Sequence, residues 1–460
     1  MVEQKSIDRD EVNRLFALSE SHFLDLKRVE ISPSKLSESI SAFANTSGGE
    51  LFVGVGEKID KAERFWNGFE TMEHANGLFQ VLNRMMTLGT HYSATFLSSQ
   101  GDPGYVLHLI IPKAVNILYA TDGNAYIRQN AQNLRVSGED ALARLRLDKG
   151  IVSFEDEVLN VAADTITNST TTIEFILEIV PSAEPEDWMK KQNLIVNGKP
   201  IVSGVLLFSD EPQAAIPKRS AIKIYRYGTK DEEGSREQLM FNPISIEGCI
   251  YDQIAGAVVR TKELVEGIRT LTAKGLEPVS YPHETLHEII TNAVLHRDYS
   301  IPADVHVRIY DNRIEVESPG RLPGHITTEN ILREQSARNP KIVRLINKFP
   351  DPPNKDVGEG LKTAFEAMKK LRLKEPEITE SEHSVTVHIR HTSLATPHDS
   401  VMAYLENNTE ITNRIARDLT GISSENAMKN VFLRLKRLNL IEPVPGKETG
   451  GGAAWQKVMH

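Results

Sequence analysis

The stretch Glu284-Thr285-Leu286-His287-Glu288-Ile289-Ile290-Thr291-Asn292-Ala293-Val294-Leu295-His296-Arg297-Asp298 is the one on which the reading of this chain turns. Leu286, Ile289, Ile290, Ala293 and Val294 recur at helical spacing, which predicts a helix with one buried face. Glu288 and Asn292 are four apart and share another stripe of that helix, and His296 continues the stripe by one turn. A carboxylate, an amide and an imidazole on one line can face a pocket together. The two oxygen donors suit a hard cation such as Mg²⁺, which brings phosphates with it. The carboxylate can instead orient an attacking water. The same spacing also describes an ordinary solvated helix face, the commoner case, so the segments that follow it tip the balance.

Downstream, Val305 to Gly320 reads as two alternating strands around an Asp311-Asn312-Arg313 turn, closed by Pro319-Gly320. Arg338-Asn339-Pro340 follows. Gly358-Glu359-Gly360-Leu361 then opens a helical run to Lys370. A glycine pair at a helix start lets backbone N–H groups meet phosphate oxygens. With Asn292 to Tyr299 and Glu317-Ser318-Pro319-Gly320, these motifs resemble the divergent ATP-binding domain of the GHKL type over about residues 281–391. The resemblance implies a mixed sheet with helices on one face, with Val385 to Arg390 as its last strand. It implies ATP and Mg²⁺ as cofactors, Glu288 activating water and Asn292 holding the metal. Nucleotide contacts would fall on Asn292, His296, Ser318, Gly320, Arg338, Asn339, Gly358 and Gly360. Where most of that family has an adenine-contacting Asp, this chain has Ser318 or Glu317. Arg338 and Lys341 read either as triphosphate ligands or as an exposed lid.

The chain has 460 residues, 40% hydrophobic and 25% charged, enough for three or four compact units of an ordinary globular protein. No apolar run is long enough for a membrane span, and the charged start has no signal-peptide core. The single cysteine, Cys249, excludes an intrachain disulfide and a cysteine-built zinc site and fits a reducing cytoplasm. His283 and His287 are four apart, without the further ligands a zinc site needs. A net charge of −10 argues against coating by nucleic acid but leaves room for a local basic groove.

Residues 1–145 read as an α+β unit: a helical pattern from Ile7 to Leu26, another from Leu36 to Phe43, and strands at Glu50–Glu57, Tyr105–Ile111 and Ala125–Gln129. Asn45-Thr46-Ser47-Gly48-Gly49 is a tight turn where paired glycines permit close backbone approach. With Glu20 to Lys27 before it and Ala125-Tyr126-Ile127-Arg128 after it, the turn resembles the Schlafen-type AlbA domain. Some of that family are metal-dependent ribonucleases. The resemblance then assigns Glu20, Asp25 and Glu57 as metal-holding acids, Mg²⁺ or Mn²⁺ as the metal, and Lys27 beside them. Asp25 stands where a Glu is usual and Glu57 where an Asp is usual. Other members only bind nucleic acid, and a solvated helix end is the plain reading of Glu20 and Asp25.

Residues 146–280 read as an α/β connector and scaffold, with a strand at Ala221–Tyr227 and a long helical pattern from Ile246 to Leu271. Residues 396–460 read as a winged helix-turn-helix: helices near Ser400–Leu405, Ile411–Leu419 and Ser424–Leu438, then two short strands around a Gly-rich hairpin. Its third helix carries Lys429, Arg434, Lys436 and Arg437 as phosphate contacts, with Asn426 and Lys429 as base-edge candidates. A protein-interaction winged helix is the equal alternative. The expectation is therefore a multidomain α+β, cytoplasmic, homo-oligomeric protein that binds ATP and nucleic acid. It is either an ATP-gated metal-dependent nuclease in stress or phage defence, or an ATP-responsive DNA-binding regulator that does not cut.

Overall fold

The computed structural model describes residues 3–57, 63–85, 92–216, 219–272, 275–353, 360–371, 373–391, 397–420, 422, 424–448 and 453–458. The chain is mixed α+β and forms two compact units. The first is Met1–Ser153 together with Leu322–Arg338; the second is Phe154–Arg321 together with Asn339–His460. No described helix is long and apolar enough to cross a membrane.

The first unit is built on a five-stranded sheet. Its strands are β1 (Glu3–Ile7), β2 (Leu24–Lys27), β3 (Gly49–Val53), β4 (Ser93–Ser99) and β5 (Asp102–Ile111). They lie in the order β1-β4-β5-β3-β2. Helices α1 (Arg9–Ala17), α2 (Pro33–Asn45) and α3 (Asn76–Met85) complete it. The expected helix from Ile7 to Leu26 is overturned. Asp8 opens a capping box, the helix stops at Ala17, and Leu24–Lys27 is a strand parallel to β3. A short helical period followed by an alternating one had been merged into a single pattern. Helix α2 begins at Ser32, whose side chain accepts from Lys35 N, and Pro33 fills the first turn, where its missing N–H costs nothing. A hairpin of β6 (Tyr126–Gln129) and β7 (Gln132–Arg135) closes over α2.

In the second unit the expected boundary near residue 280 does not divide the structure. One six-stranded sheet joins β8 (Ile222–Arg226) and β9 (Ile244–Ile246) from the supposed connector to β10 (Val305–Ile309), β11 (Arg313–Pro319), β12 (Glu377–Glu380) and β13 (Ser384–Arg390). The order is β9-β8-β10-β11-β13-β12, and β8 runs parallel to β10. The run Ile201–Phe208, legible as strand or helix, is helix α4 (Val202–Phe208), buried throughout. Helices α5 (Ile250–Glu266) and α6 (His283–Leu295) pack their apolar stripes into one core with Ile222, Val307, Ile314 and Val316. Helices α7 (Pro340–Ile346) and α8 (Gly360–Lys370) follow. At the C-terminal end, α9 (Pro397–Asn407), α10 (Asn413–Thr420) and α11 (Glu425–Arg437) surround three antiparallel strands, β14 (Ile411–Thr412), β15 (Ile441–Pro443) and β16 (Ala454–Lys457). These elements agree closely with the expected order, while Gly421 and most of the Gly446–Gly452 loop lie outside the described residues.

A half-buried group and a buried one give this unit opposing pH dependences. His391 stacks near Tyr281, whose hydroxyl faces Nδ1, while Nε2 meets Tyr310 O at 3.2 Å. Burial lowers its pKa from 6.5 to about 4. The neutral ring therefore stabilises the fold above pH 6.5, and that stability is lost as pH falls toward 4. Burial pushes Glu155 up from 4.5 to about 7, against two backbone N–H bonds from Lys341 and Ile342. Its contribution is full below pH 4.5 and is lost as pH rises through 7. Each shift corresponds to up to about 3 kcal/mol. In urea unfolding, His391→Gln should lose stability relative to wild type by up to about that amount between pH 4 and 6.5. Glu155→Gln should gain it relative to wild type between pH 4.5 and 7. Curves parallel to wild type would refute both assignments.

Candidate nucleotide site

Helix α6 places Glu288 and Asn292 one turn apart on the stripe next to its buried face, both half-buried. Asn292 Nδ2 donates to Glu288 Oε1 at 2.8 Å. Burial raises the Glu288 carboxyl above its ordinary range, and the bond from Asn292 pulls it partly back. Opposite stands Gly360, the first residue of α8. A Cβ there would fall on the Glu288 carboxylate. Gly360 therefore lets the start of a helix close on a carboxylate. The partial positive charge of a helix N-terminus suits that carboxylate, and equally a phosphate.

The expected stripe ends there. His296 is the C-cap of α6, its backbone N–H bonded to Asn292 O, so it has left the helical line. Ser318 faces α6 but spends its hydroxyl on Ala293 O at 2.6 Å. Glu317, on the other face of β11, is tied to Arg308 at 2.6 Å and to His306, which hold its carboxyl near 2. Asn339 Nδ2 donates to Leu295 O (2.9 Å) and Arg297 O (2.8 Å). Ser318 and Asn339 are thus ties that satisfy carbonyls left unpaired at a helix end. Gly320, at φ +102°, leans on Asp298: a Cβ there would meet Asp298 Cβ at 2.5 Å. Arg338 belongs to the first unit, where it donates to Leu147 O at 2.9 Å. Lys341 pairs with Asp156 at 2.6 Å. Gly358 lies outside the described residues.

For a metal, the donor chemistry fits at Glu288 and Asn292: the amide nitrogen is committed to Glu288, so the amide oxygen is the atom left for a hard cation. Asn292 would hold Mg²⁺ there through that oxygen, beside the Glu288 carboxylate, and the cation would neutralise phosphate charge.

The acids of the first unit are arranged differently. Asp25 is fully buried on β2, not on a solvated helix end. Its carboxylate receives Lys27 Nζ at 2.5 Å and Ser39 Oγ at 3.0 Å, with Arg128 at 3.5 Å. Glu20 joins the same lysine at 3.4 Å and accepts Leu26 N at 3.1 Å. Glu57 is exposed, and its carbonyl accepts from Arg28. Lys27 therefore unites Glu20 with Asp25, and Glu57 makes no bond to either. Among the described residues no group of three or more His, Cys, Asp or Glu could hold a metal ion. Arg128, quoted only as part of a strand, turns out to be central: buried over Phe43, it also donates to Ser21 O, Leu24 O and Asn133. Its place beside inward-facing Tyr126 in an alternating strand was the signal for its burial.

On α11, Lys429, Arg434, Lys436 and Arg437 are all exposed, and none forms an ion pair among the described residues. Elsewhere in this unit Arg226, Arg308, Arg313, Arg321 and Arg390 are each paired with an acid.

Comparison with known proteins fits this geometry. Residues 20–137 match the family model described as "Schlafen, AlbA_2". Residues 303–389 match the one described as "Putative ATP-dependent DNA helicase recG C-terminal". The chain is thus similar to the Schlafen AlbA_2 family over residues 20–137 and to the RecG C-terminal family over residues 303–389. No curated protein matches. Among solved structures, a Corynebacterium diphtheriae protein is 18% identical with a TM-score of 0.42, covering 98% of this chain and 96% of its own. The N-terminal domain of a RecG-related protein from Nitrosomonas europaea is 23% identical with a TM-score of 0.22, covering 28% and 93%.

Gly360→Ala tests the site directly. The atoms in its way are the end of a flexible side chain, so Glu288 should swing aside at a cost under about 1 kcal/mol. The Glu288–Asn292 pair should break. Thermal melting should shift little, while ATP titration should show binding weakened about ten-fold or more. Unchanged binding would place any nucleotide elsewhere.

Proposed function

We propose that this chain is a nucleotide-responsive nucleic-acid-binding protein. The observation that carries the reading is the convergence of Glu288, Asn292 and the Gly360 helix start: a carboxylate, an amide oxygen and a helix N-terminus within one site. That set suits a Mg²⁺-bound polyphosphate. The match of residues 303–389 to an ATP-dependent helicase family supports ATP as the nucleotide. Gly-x-x-x-x-Gly-Lys-Ser/Thr does not occur in the chain, so phosphate binding of the P-loop kind is not the basis. Glu288 is placed to activate water, and burial, which raises its carboxyl above the ordinary range, favours its taking up a proton.

Nucleic acid is the second ligand. The Schlafen AlbA_2 match supports it for the first unit. The unpaired cations of α11, on a three-helix, three-stranded unit of winged-helix type, support it for the C-terminus. Binding without cutting is favoured over nuclease action. Asp25 is already neutralised by Lys27, Ser39 and Arg128, and Glu57 stands apart from it. A carboxylate so fully engaged would have to give up those partners to take a metal.

Calorimetry with ATP and Mg²⁺ should show saturable binding that Asn292→Ala abolishes and Glu288→Ala retains. Undiminished affinity in Asn292→Ala would overturn the nucleotide reading. With labelled duplex DNA, Lys436→Ala/Arg437→Ala should lower the slope of log K against log salt by about 1–2, as expected for two lost phosphate contacts. An unchanged slope would assign α11 to a protein partner. Glu20→Ala should leave incubated tRNA and DNA as intact as wild type does. Cleavage by wild type with Mg²⁺ or Mn²⁺ that this variant loses would instead establish the nuclease.

A further inference from the structure

Two contacts define how α8 lies on α6. A Cβ at Gly360 would fall 2.1–2.4 Å from the Glu288 carboxyl atoms. One turn further along α8, the Ala364 carbonyl accepts the hydroxyl of Thr285 at 3.1 Å. A step forward by one turn in α8 is thus a step back by about one turn in α6, so the two helices run antiparallel. The stripe that α8 turns toward α6 and the core is Gly360, Ala364 and Met368, spaced four apart.

Such a stripe packs closely but does not fix its own axial position. Glycine and alanine offer no knob, methionine is the most adaptable apolar side chain, and apolar contact is non-directional. A hydrogen bond is directional. Among the described residues, the bond from Thr285 is the only hydrogen bond or ion pair that joins α8 to another element. Thr285 is fully buried and lies three residues before Glu288, on the same side of α6. Ala364 O also has its helical partner, the N–H four residues on. The hydroxyl therefore adds a bond between helices; it does not rescue an orphaned carbonyl.

We propose that Thr285 is the positioning residue of the nucleotide site: its hydroxyl sets the axial position of α8 on α6 and so holds the Gly360 helix start against the Glu288–Asn292 pair. The proposal rests on the nucleotide reading above for the ligand, and it names the residue on which the shape of that site depends. A slip by a single residue moves α8 by about 1.5 Å, where a preorganised site tolerates about 0.5 Å.

Two substitutions in the full chain separate the hydroxyl from the packing. Thr285→Val keeps the branched shape and removes the hydroxyl; Thr285→Ser keeps the hydroxyl and removes the methyl. Without ligand, hydrogen exchange along residues 364–370 should be about five-fold or more faster in Thr285→Val, and within about two-fold of wild type in Thr285→Ser. Exchange in Thr285→Val equal to wild type would overturn the pin, whatever binds. In calorimetry with ATP and Mg²⁺, Thr285→Val should bind about five-fold or more weakly, with affinity restored in Thr285→Ser. Gly360→Ala already breaks the contact that Thr285 serves, so the double variant should bind no more weakly than Gly360→Ala alone. Two losses that add, or undiminished affinity in Thr285→Val, would overturn the proposal and leave Thr285 a packing residue. Thr285→Ala takes the place of Thr285→Val if that variant does not fold. Absence of ATP binding in wild type would remove the nucleotide reading, and the pin would then stand or fall on the ligand-free arm.

Discussion

The carboxyl end of α6 is the constraint around which the second unit is arranged. A helix ends with four carbonyls that lack intrahelical partners, and here they end inside the protein. Asn292 O takes the N–H of the adjoining His296, and the other three find side-chain donors. Ser318 reaches Ala293 O, Tyr299 reaches Val294 O, and Asn339 spans Leu295 O and Arg297 O. Arg297, buried over Tyr299, turns the following loop by bonding to Ile301 O and Ala303 O. Three motifs distant in sequence meet because one helix end has to be satisfied. Asn292 and Glu288 sit about one and two turns in from that end, on the part of the helix this collar immobilises, as a preorganised site requires.

That arrangement explains what was and was not legible beforehand. The period of Leu286, Ile289, Ile290 and Ala293 fixed α6, and the alternation through Val305 to Ser318 fixed two central strands. Spacing also brought out the Glu288–Asn292 pair, and the glycine pair pointed to Gly360, whose Cβ would fall on Glu288. It could not tell a polar side chain that binds a ligand from one that ties backbone, because both need the same donors. Ser318 and Asn339, expected as ligands, bond backbone carbonyls, and the line from Asn292 to His296 runs past the helix end. The boundary near residue 280 was drawn where the motifs stop. The sheet does not stop there, since β8 pairs with β10 across about 80 residues of sequence that no local pattern records.

The same distinction governs the first unit. Two carboxylates near a lysine look like a metal centre in one dimension. In three, Asp25 is the buried counter-charge of Arg128 and Lys27, and Ser39 completes its hydrogen bonding. Removing one member of such a cluster strands the others without partners, so its first effect is structural. The Asn45 turn is held in the same way: the Asn45 amide donates to Leu118 O and Tyr126 O and accepts Leu118 N. The most family-specific stretch of this unit is a hydrogen-bonded clasp, and a change in its shape would have to pass through bonds that can be named.

Buried lysines sharpen that point. Lys113 and Lys149 place ammonium groups on carbonyl oxygens where a neutral donor would have been cheaper to bury. An ammonium bonds strongly but tolerates little displacement before an uncompensated charge is exposed to a low-dielectric interior. Such contacts tend to be wholly made or wholly broken. The three points where the chain passes from one unit to the other are fastened on the side of the second unit: Glu155 and Asp156 bond the start of α7, Arg321 pairs with Glu380, and Asn339 donates neutral amide hydrogen bonds to the end of α6.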